Sequence, residues 1–109
     1  MIKIDIKPLS LNHAYNGRRF ITKELKLYKR DIHFSLGPLK IPEGKLFIKY
    51  EFGVSSKNCD TDNHVKALQD CIAEAYGFND NRIYKIEAEK KDVKVGKEYI
   101  KFEIKKYLN

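Results

Sequence analysis

Lys45-Leu46-Phe47-Ile48-Lys49-Tyr50-Glu51-Phe52-Gly53-Val54 is the stretch that decides the fold. Leu46, Ile48, Tyr50 and Phe52 recur at every second position. Side chains of a strand alternate between faces, so this run reads as a strand with one buried face. Pro42-Glu43-Gly44 just before it is a turn. Ser55 to Cys59 is a short polar loop, and a helix is expected from Asp62 or Asn63 to Tyr76, with Val65, Leu68, Ile72 and Ala75 on its buried side. Gly77 suits the residue after a helix end. Phe78 to Asn81 is then a tight connection into a strand over Ile83 to Asp92.

Working outward, Tyr99 to Tyr107 reads as a last strand, and Val95-Gly96-Lys97 as a turn joining it to its predecessor in an antiparallel hairpin. At the other end, Ile2, Ile4 and Ile6 alternate with polar residues as in a half-buried strand that Pro8 ends. Residues 9–20 are irregular or a hairpin, with Asn16-Gly17 as its turn. Thr22 can cap a helix over 23–36, where Leu25, Tyr28, Ile32 and Leu36 form an apolar stripe and Gly37-Pro38 a stop. The expected fold class is α/β (α+β): a small mixed sheet with two main helices, in one domain spanning residues 1–109.

Charge narrows the function. The chain carries 22 Lys and Arg against 15 Asp and Glu, a formal net charge of +7. All of the excess lies in residues 1–50, because residues 51–109 hold 11 basic and 11 acidic side chains. Such asymmetry favours a polyanionic partner. The flank Lys23, Lys26, Lys29 and Arg30, with Arg18 and Arg19 in the loop before it, is the candidate phosphate-binding surface. Cys59 and Cys71 have no metal-site spacing. Reduced thiols, no apolar run long enough for a bilayer and no signal-peptide core lead to an expected cytoplasmic location with no membrane partner.

Within this basic chain, Asp60-Thr61-Asp62-Asn63-His64-Val65-Lys66 is acidic, and Asn79-Asp80-Asn81 follows the helix. Asp60 and Asp62, two apart in an extended segment, can share a face. The chain's return after the helix can bring Asp80 beside them. Three crowded carboxylates repel unless a hard cation neutralises them, so Mg²⁺ (or Mn²⁺) is the expected cofactor. Lys66 shares a helix face with Asp62 at i,i+4 and can meet a phosphate; Asp70, one turn on, can anchor Lys66. The alternatives are plain. Asp62 can act as a helix cap, Asp80 as a turn residue, Lys66 and Asp70 as a solvated pair, and His64 as a structural imidazole rather than a base.

Together, Asp60-x-Asp62-Asn63-x-x-Lys66-x-x-x-Asp70, then Gly77-Phe78-Asn79-Asp80-x-x-Ile83 and a downstream Lys90, resemble the RusA family of Holliday junction resolvases. Pro8-Leu9-Ser10-Leu11-Asn12, Arg18-Arg19 and the region of Tyr28-Lys29 resemble that family's opening segment. The resemblance implies a small dimeric Mg²⁺-dependent endonuclease that nicks four-way DNA junctions symmetrically, in recombination and repair and often in a phage setting. It implies Asp60, Asp62 and Asp80 as metal-binding catalytic carboxylates and Lys66 as the active-site lysine. Asn63 and Asp70 would be supporting residues, and Arg18, Arg19, Lys23, Lys26, Lys29, Arg30 and Lys90 would contact DNA. The chain departs from the pattern at Asn79, where the family has the first acid of an acidic pair. Two other readings stay open: a non-catalytic nucleic-acid-binding module, and a nuclease of the same fold acting on flaps or other branched DNA.

Overall fold

The computed structural model describes residues 1–9, 15–16, 20–21, 23–55 and 61–108, with 15–16, 20–21 and 61–63 described by their main chain alone. Its elements are β1 (Ile2–Ile4), β2 (Tyr15–Asn16), β3 (Phe20–Ile21), α1 (Lys23–Ser35), β4 (Leu46–Val54), α2 (Thr61–Tyr76), a 3₁₀ turn (Asp80–Arg82), β5 (Ile83–Asp92) and β6 (Tyr99–Lys106). The class is α+β, a mixed four-stranded sheet with two helices. The sheet runs β1-β6-β4-β5, and β2 and β3 pair in a separate antiparallel ribbon.

β4 is the spine. Leu46, Ile48 and Phe52 are fully buried and Tyr50 is nearly so. They meet Leu25, Tyr28 and Ile32 of α1 and Ala67, Leu68, Cys71 and Ile72 of α2 in one core. The opposite sheet face is polar and laced with ion pairs: Lys49–Glu87 at 3.9 Å, Lys91–Glu51 at 3.3 Å and Lys101–Glu51 at 3.5 Å. β1 is shorter than the isoleucine alternation suggests. It ends at Ile4, and the Ile6 N–H turns back to the Ile4 carbonyl at 2.9 Å. Thr22 and Cys59 lie outside the described residues; Cys71 is a buried free thiol, and burial pushes its pKa up to about 12.

The expected hairpin between the last two strands does not form. β5 runs parallel to β4 on one side, and β6 runs antiparallel to β4 on the other. Two physical causes account for this. α2 is a crossover, and a crossover returns the chain in the parallel sense beside the strand it left. The strands also differ in apolar content. β6 offers Ile100 and Phe102, both fully buried, whereas the core-side positions of β5 are Ile86, Ala88 and Lys90. The more apolar strand takes the centre and the more polar one the edge. Val93 still bonds back to the Val54 carbonyl at 2.8 Å, so the chain crosses the end of β4 only afterwards, through a turn containing Gly96 at φ 90°.

A close approach fixes that crossing. A Cβ on Gly53 would lie 2.4 Å from the Tyr99 ring, so glycine is what lets the first residue of β6 lie flat on β4. The Tyr99 hydroxyl then donates to Glu51 Oε2 at 2.7 Å.

Candidate active site

The last turn of α2 and the residues after it are built to bring one carboxylate back to the helix. Gly77 adopts φ 70°, and the Phe78 N–H bonds the Ala73 carbonyl at 3.1 Å, which closes the helix end. The Phe78 side chain is buried in the core and fixes the direction of the turn. Asn79 caps the 3₁₀ turn: its Oδ1 accepts the Asn81 N–H at 2.9 Å. Capping needs only a short side-chain oxygen, which Asn supplies as well as Asp does. Arg82 closes the turn from the other side, donating to the Gly44 carbonyl at 2.9 Å and to the Pro42 carbonyl. The turn before β4 is thereby tied to the turn that carries Asp80. Nothing in the spacing of Arg82 signals this, because its acceptors are main-chain carbonyls far away in sequence.

Asp80 arrives on the side of α2 that bears Lys66. The Lys66 ammonium lies 3.0 Å from Asp70 Oδ1 and 3.7 Å from Asp80 Oδ2. All three side chains are partly open to water. The hydrogen bond to Asp70, with the nearby charges of Asp70 and Asp80, raises the Lys66 pKa above its usual value, so it is a cation throughout the neutral range. Asp70 and Lys66 stand one turn apart on α2, which is the spacing at which helix side chains meet. Asp60 lies outside the described residues. Asp62 and Asn63 belong by main chain to the first turn of α2, so Asp62 stands inside the helix rather than at its cap, one turn before Lys66. Their side chains lie outside the described part. Among the described residues no group of three His, Cys, Asp or Glu side chains is gathered for a metal ion. Of the three carboxylates named above, Asp80 is the one whose side chain is described. Its carboxylate is a hard oxygen donor, and a cation, Lys66, holds its charge in balance.

The remaining candidates fall into two sets. Lys23 and Lys26 are exposed on α1. Lys29 pairs with Glu74 of α2 at 3.4 Å, and Arg30 pairs with its neighbour Asp31 at 3.3 Å. Positions 66, 70 and 74 follow one another at helical spacing, so a charged stripe runs along α2 from Lys66 to the basic helix α1. Lys90 is half-buried on β5, in register with Phe52, and its charge reaches His64 in α2. Arg18 and Arg19 lie outside the described residues.

His64 is structural. It is 2 % exposed, its ring lies 5.4 Å from that of Phe52, and neither ring nitrogen makes a regular hydrogen bond. Burial pushes its pKa down. An imidazole shut away from water in this manner cannot exchange protons with a substrate. The apolar stripe of α2 is accordingly broader than Val65, Leu68, Ile72 and Ala75, and takes in His64, Ala67 and Cys71. No helix of the described residues is long and apolar enough to cross a membrane. Compared with protein-family models and with curated proteins, the chain matches none.

Proposed function

We propose that this chain is a metal-dependent endodeoxyribonuclease of the RusA type, resolving four-way DNA junctions by paired symmetric nicks as a homodimer. The observation that carries the reading is the return of Asp80 to Lys66, 3.7 Å apart and anchored by Asp70 at 3.0 Å. A turn held by Phe78, Asn79 and Arg82 for the sake of one half-exposed carboxylate is a costly construction for a surface ion pair, which contributes little stability.

In this reading Asp60, Asp62 and Asp80 hold Mg²⁺ or Mn²⁺, which when bound supplies a water of lowered pKa and stabilises the leaving oxygen of a phosphodiester. Lys66 balances Asp80 until DNA arrives. It then turns its ammonium toward the scissile phosphate, where negative charge develops. Asp70 keeps its grip on Lys66 and acts as a positioning residue. The exposed Lys23 and Lys26, with Arg18, Arg19 and Lys90, meet phosphates on either side. One chain offers one such cluster, so two symmetric cuts call for two copies related by a two-fold axis.

The test is a gel assay on a synthetic four-way junction, a flap and a linear duplex, with and without Mg²⁺. Paired symmetric nicks in the junction that need Mg²⁺, and that vanish in Asp80→Asn while junction binding persists, are the expected result. Preference for flaps moves the chain to the broader branched-DNA nucleases. Binding with no metal-dependent nicking of any substrate removes the enzyme reading altogether.

A further inference from the structure

We propose that β5 pairs antiparallel with β5 of a second copy of this chain, so that two four-stranded sheets join into one. The inference gives the dimer of the proposed function its interface and rests on that reading for its purpose; the observations behind it are independent.

Among the described residues β5 is an edge strand of ten residues, whereas the other edge, β1, has three. The outer main-chain donors and acceptors of such a strand form a template for another strand. The core layer also stops short of β5. Ile86 and Ala88 stand in register with Ile48 and Tyr50, which are 0 % and 2 % exposed, yet Ile86 is 46 % exposed and Ala88 is open as well. Behind them lies an open groove of about 450 Å³ lined by Val65, Lys66, Gln69, Ile86 and Ala88. An apolar row half covered by its own helix is completed by apolar side chains from beyond the edge.

Charge selects the occupant. The solvent-side positions of the regular part of β5 are Lys85, Glu87, Glu89 and Lys91. A two-fold axis through Glu87 sets Ile86 against the partner's Ala88 and Lys85 against the partner's Glu89, each twice by symmetry. The two Glu87 side chains meet at the axis, where each already has Lys49 at 3.9 Å and Lys85 at 3.7 Å. An axis through Ala88 instead sets Lys85 against the partner's Lys91 and Glu87 against the partner's Glu89. Like charges directly opposite one another destabilise a sheet. An axis through Ile86 runs the pairing into the irregularity at the start of β5, where Tyr84 has no partner on β4. An axis through Glu89 sets Glu87 against the partner's Lys91 but Ile86 against the partner's Asp92, so within the regular part of the strand the register through Glu87 is the one that matches both the apolar pair and the charges. Because Lys66 lines the same groove, the pairing brings the two Lys66–Asp80 clusters to either side of the axis.

The experiment measures oligomeric state without DNA, by light scattering and sedimentation equilibrium, with folding of every variant checked by circular dichroism. Wild type is expected at twice its 12.8 kDa mass. Lys85→Glu, which faces a partner carboxylate with another, is expected to weaken the dimer at least tenfold, and Lys85→Glu with Glu89→Lys to restore it. In a Cys59→Ser background, an oxidised mixture of Ile86→Cys and Ala88→Cys chains is expected to yield the mixed disulfide in preference to either like pair. A monomeric wild type, a dimer indifferent to Lys85→Glu, or a charge swap that fails to rescue overturns the interface. Loss of nuclease activity on all substrates with the dimer intact overturns the enzyme reading and leaves the interface standing.

Discussion

In the proposed function Asp80 and Lys66 carry the chemistry, and their neighbours make the consequences of changing them separable. Lys66→Ala removes the balance to Asp80 and, in the proposed function, the cation that meets the scissile phosphate. Cleavage is expected to fall at least a hundredfold, while stability in urea changes by no more than about 0.5 kcal/mol, the range of an exposed i,i+4 pair. Asp70→Ala should leave folding equally untouched and reduce cleavage less than Lys66→Ala does, because it loosens the lysine without deleting it. Gly53 answers to a different constraint. Gly53→Ala pushes a methyl group into the Tyr99 ring, 2.4 Å from the Cβ position, and is expected to cost about 1–3 kcal/mol in urea unfolding. In a Tyr99→Ala background the same change should cost far less. The Glu51–Tyr99 hydrogen bond has its own pH signature. That bond, with Lys91 and Lys101 nearby, holds the Glu51 carboxyl below its usual pKa, and Glu51 in turn pushes the Tyr99 hydroxyl up to about 12. A lowered acid pKa contributes stability above the unfolded value, ~4.3, that is lost as pH falls through the folded one. The raised Tyr99 pKa contributes below about 10 and is lost as pH climbs toward the folded value. Glu51→Gln should flatten both flanks of a melting-temperature profile taken between pH 3 and pH 11.

At the scale of elements, the strand over Leu46–Val54 and both helices could be read from periodicity alone, since each buries one face against the same core. The order of the sheet could not. Alternation within β5 and β6 says that both are strands and leaves open which neighbour each takes. The deciding quantity is relative: Ile100 and Phe102 against Ile86, Ala88 and Lys90. The site was legible to a similar depth. A carboxylate after α2 announces itself in Asn79-Asp80-Asn81, but the clamp that sets its direction is Arg82 on the carbonyls of Gly44 and Pro42. Main-chain acceptors leave no mark on a sequence. His64 was legible only as a choice between roles, and the Phe52 ring decides it. Arg82→Ala follows as a test of the clamp. It is expected to lower stability by about 1–2 kcal/mol through the lost charged hydrogen bonds. It should also reduce cleavage while leaving junction affinity near wild type, because the proposed phosphate contacts lie elsewhere.

For the molecule as a whole, the excess positive charge belongs to residues 1–50, and the half that holds α2 and β5 is neutral. If the chain binds DNA as proposed, the affinity is therefore expected to come from α1 and the segment before it. Each phosphate neutralised adds about 0.9 to the slope of log affinity against log salt. Lys23→Ala with Lys26→Ala should reduce that slope by about 2 in a titration between 50 and 200 mM salt, uniformly over junctions of different sequence. The rate of cutting once bound should change little.

The strand order has a bearing on how the chain comes to be folded. Among the described residues, Ile2–Ile4 finds its sheet partner in residues 100–102. While the protein is being made, β1 must therefore wait, without that partner, until residues 100–102 have emerged. β4 waits equally long for its more apolar neighbour. Loop closure over such a separation is slow relative to helix formation. Folding intermediates on the ribosome are thus expected to contain α1, α2 and the β4–β5 pair with one flank of β4 bare, and β6 acts as the closing piece that joins β1 to β4.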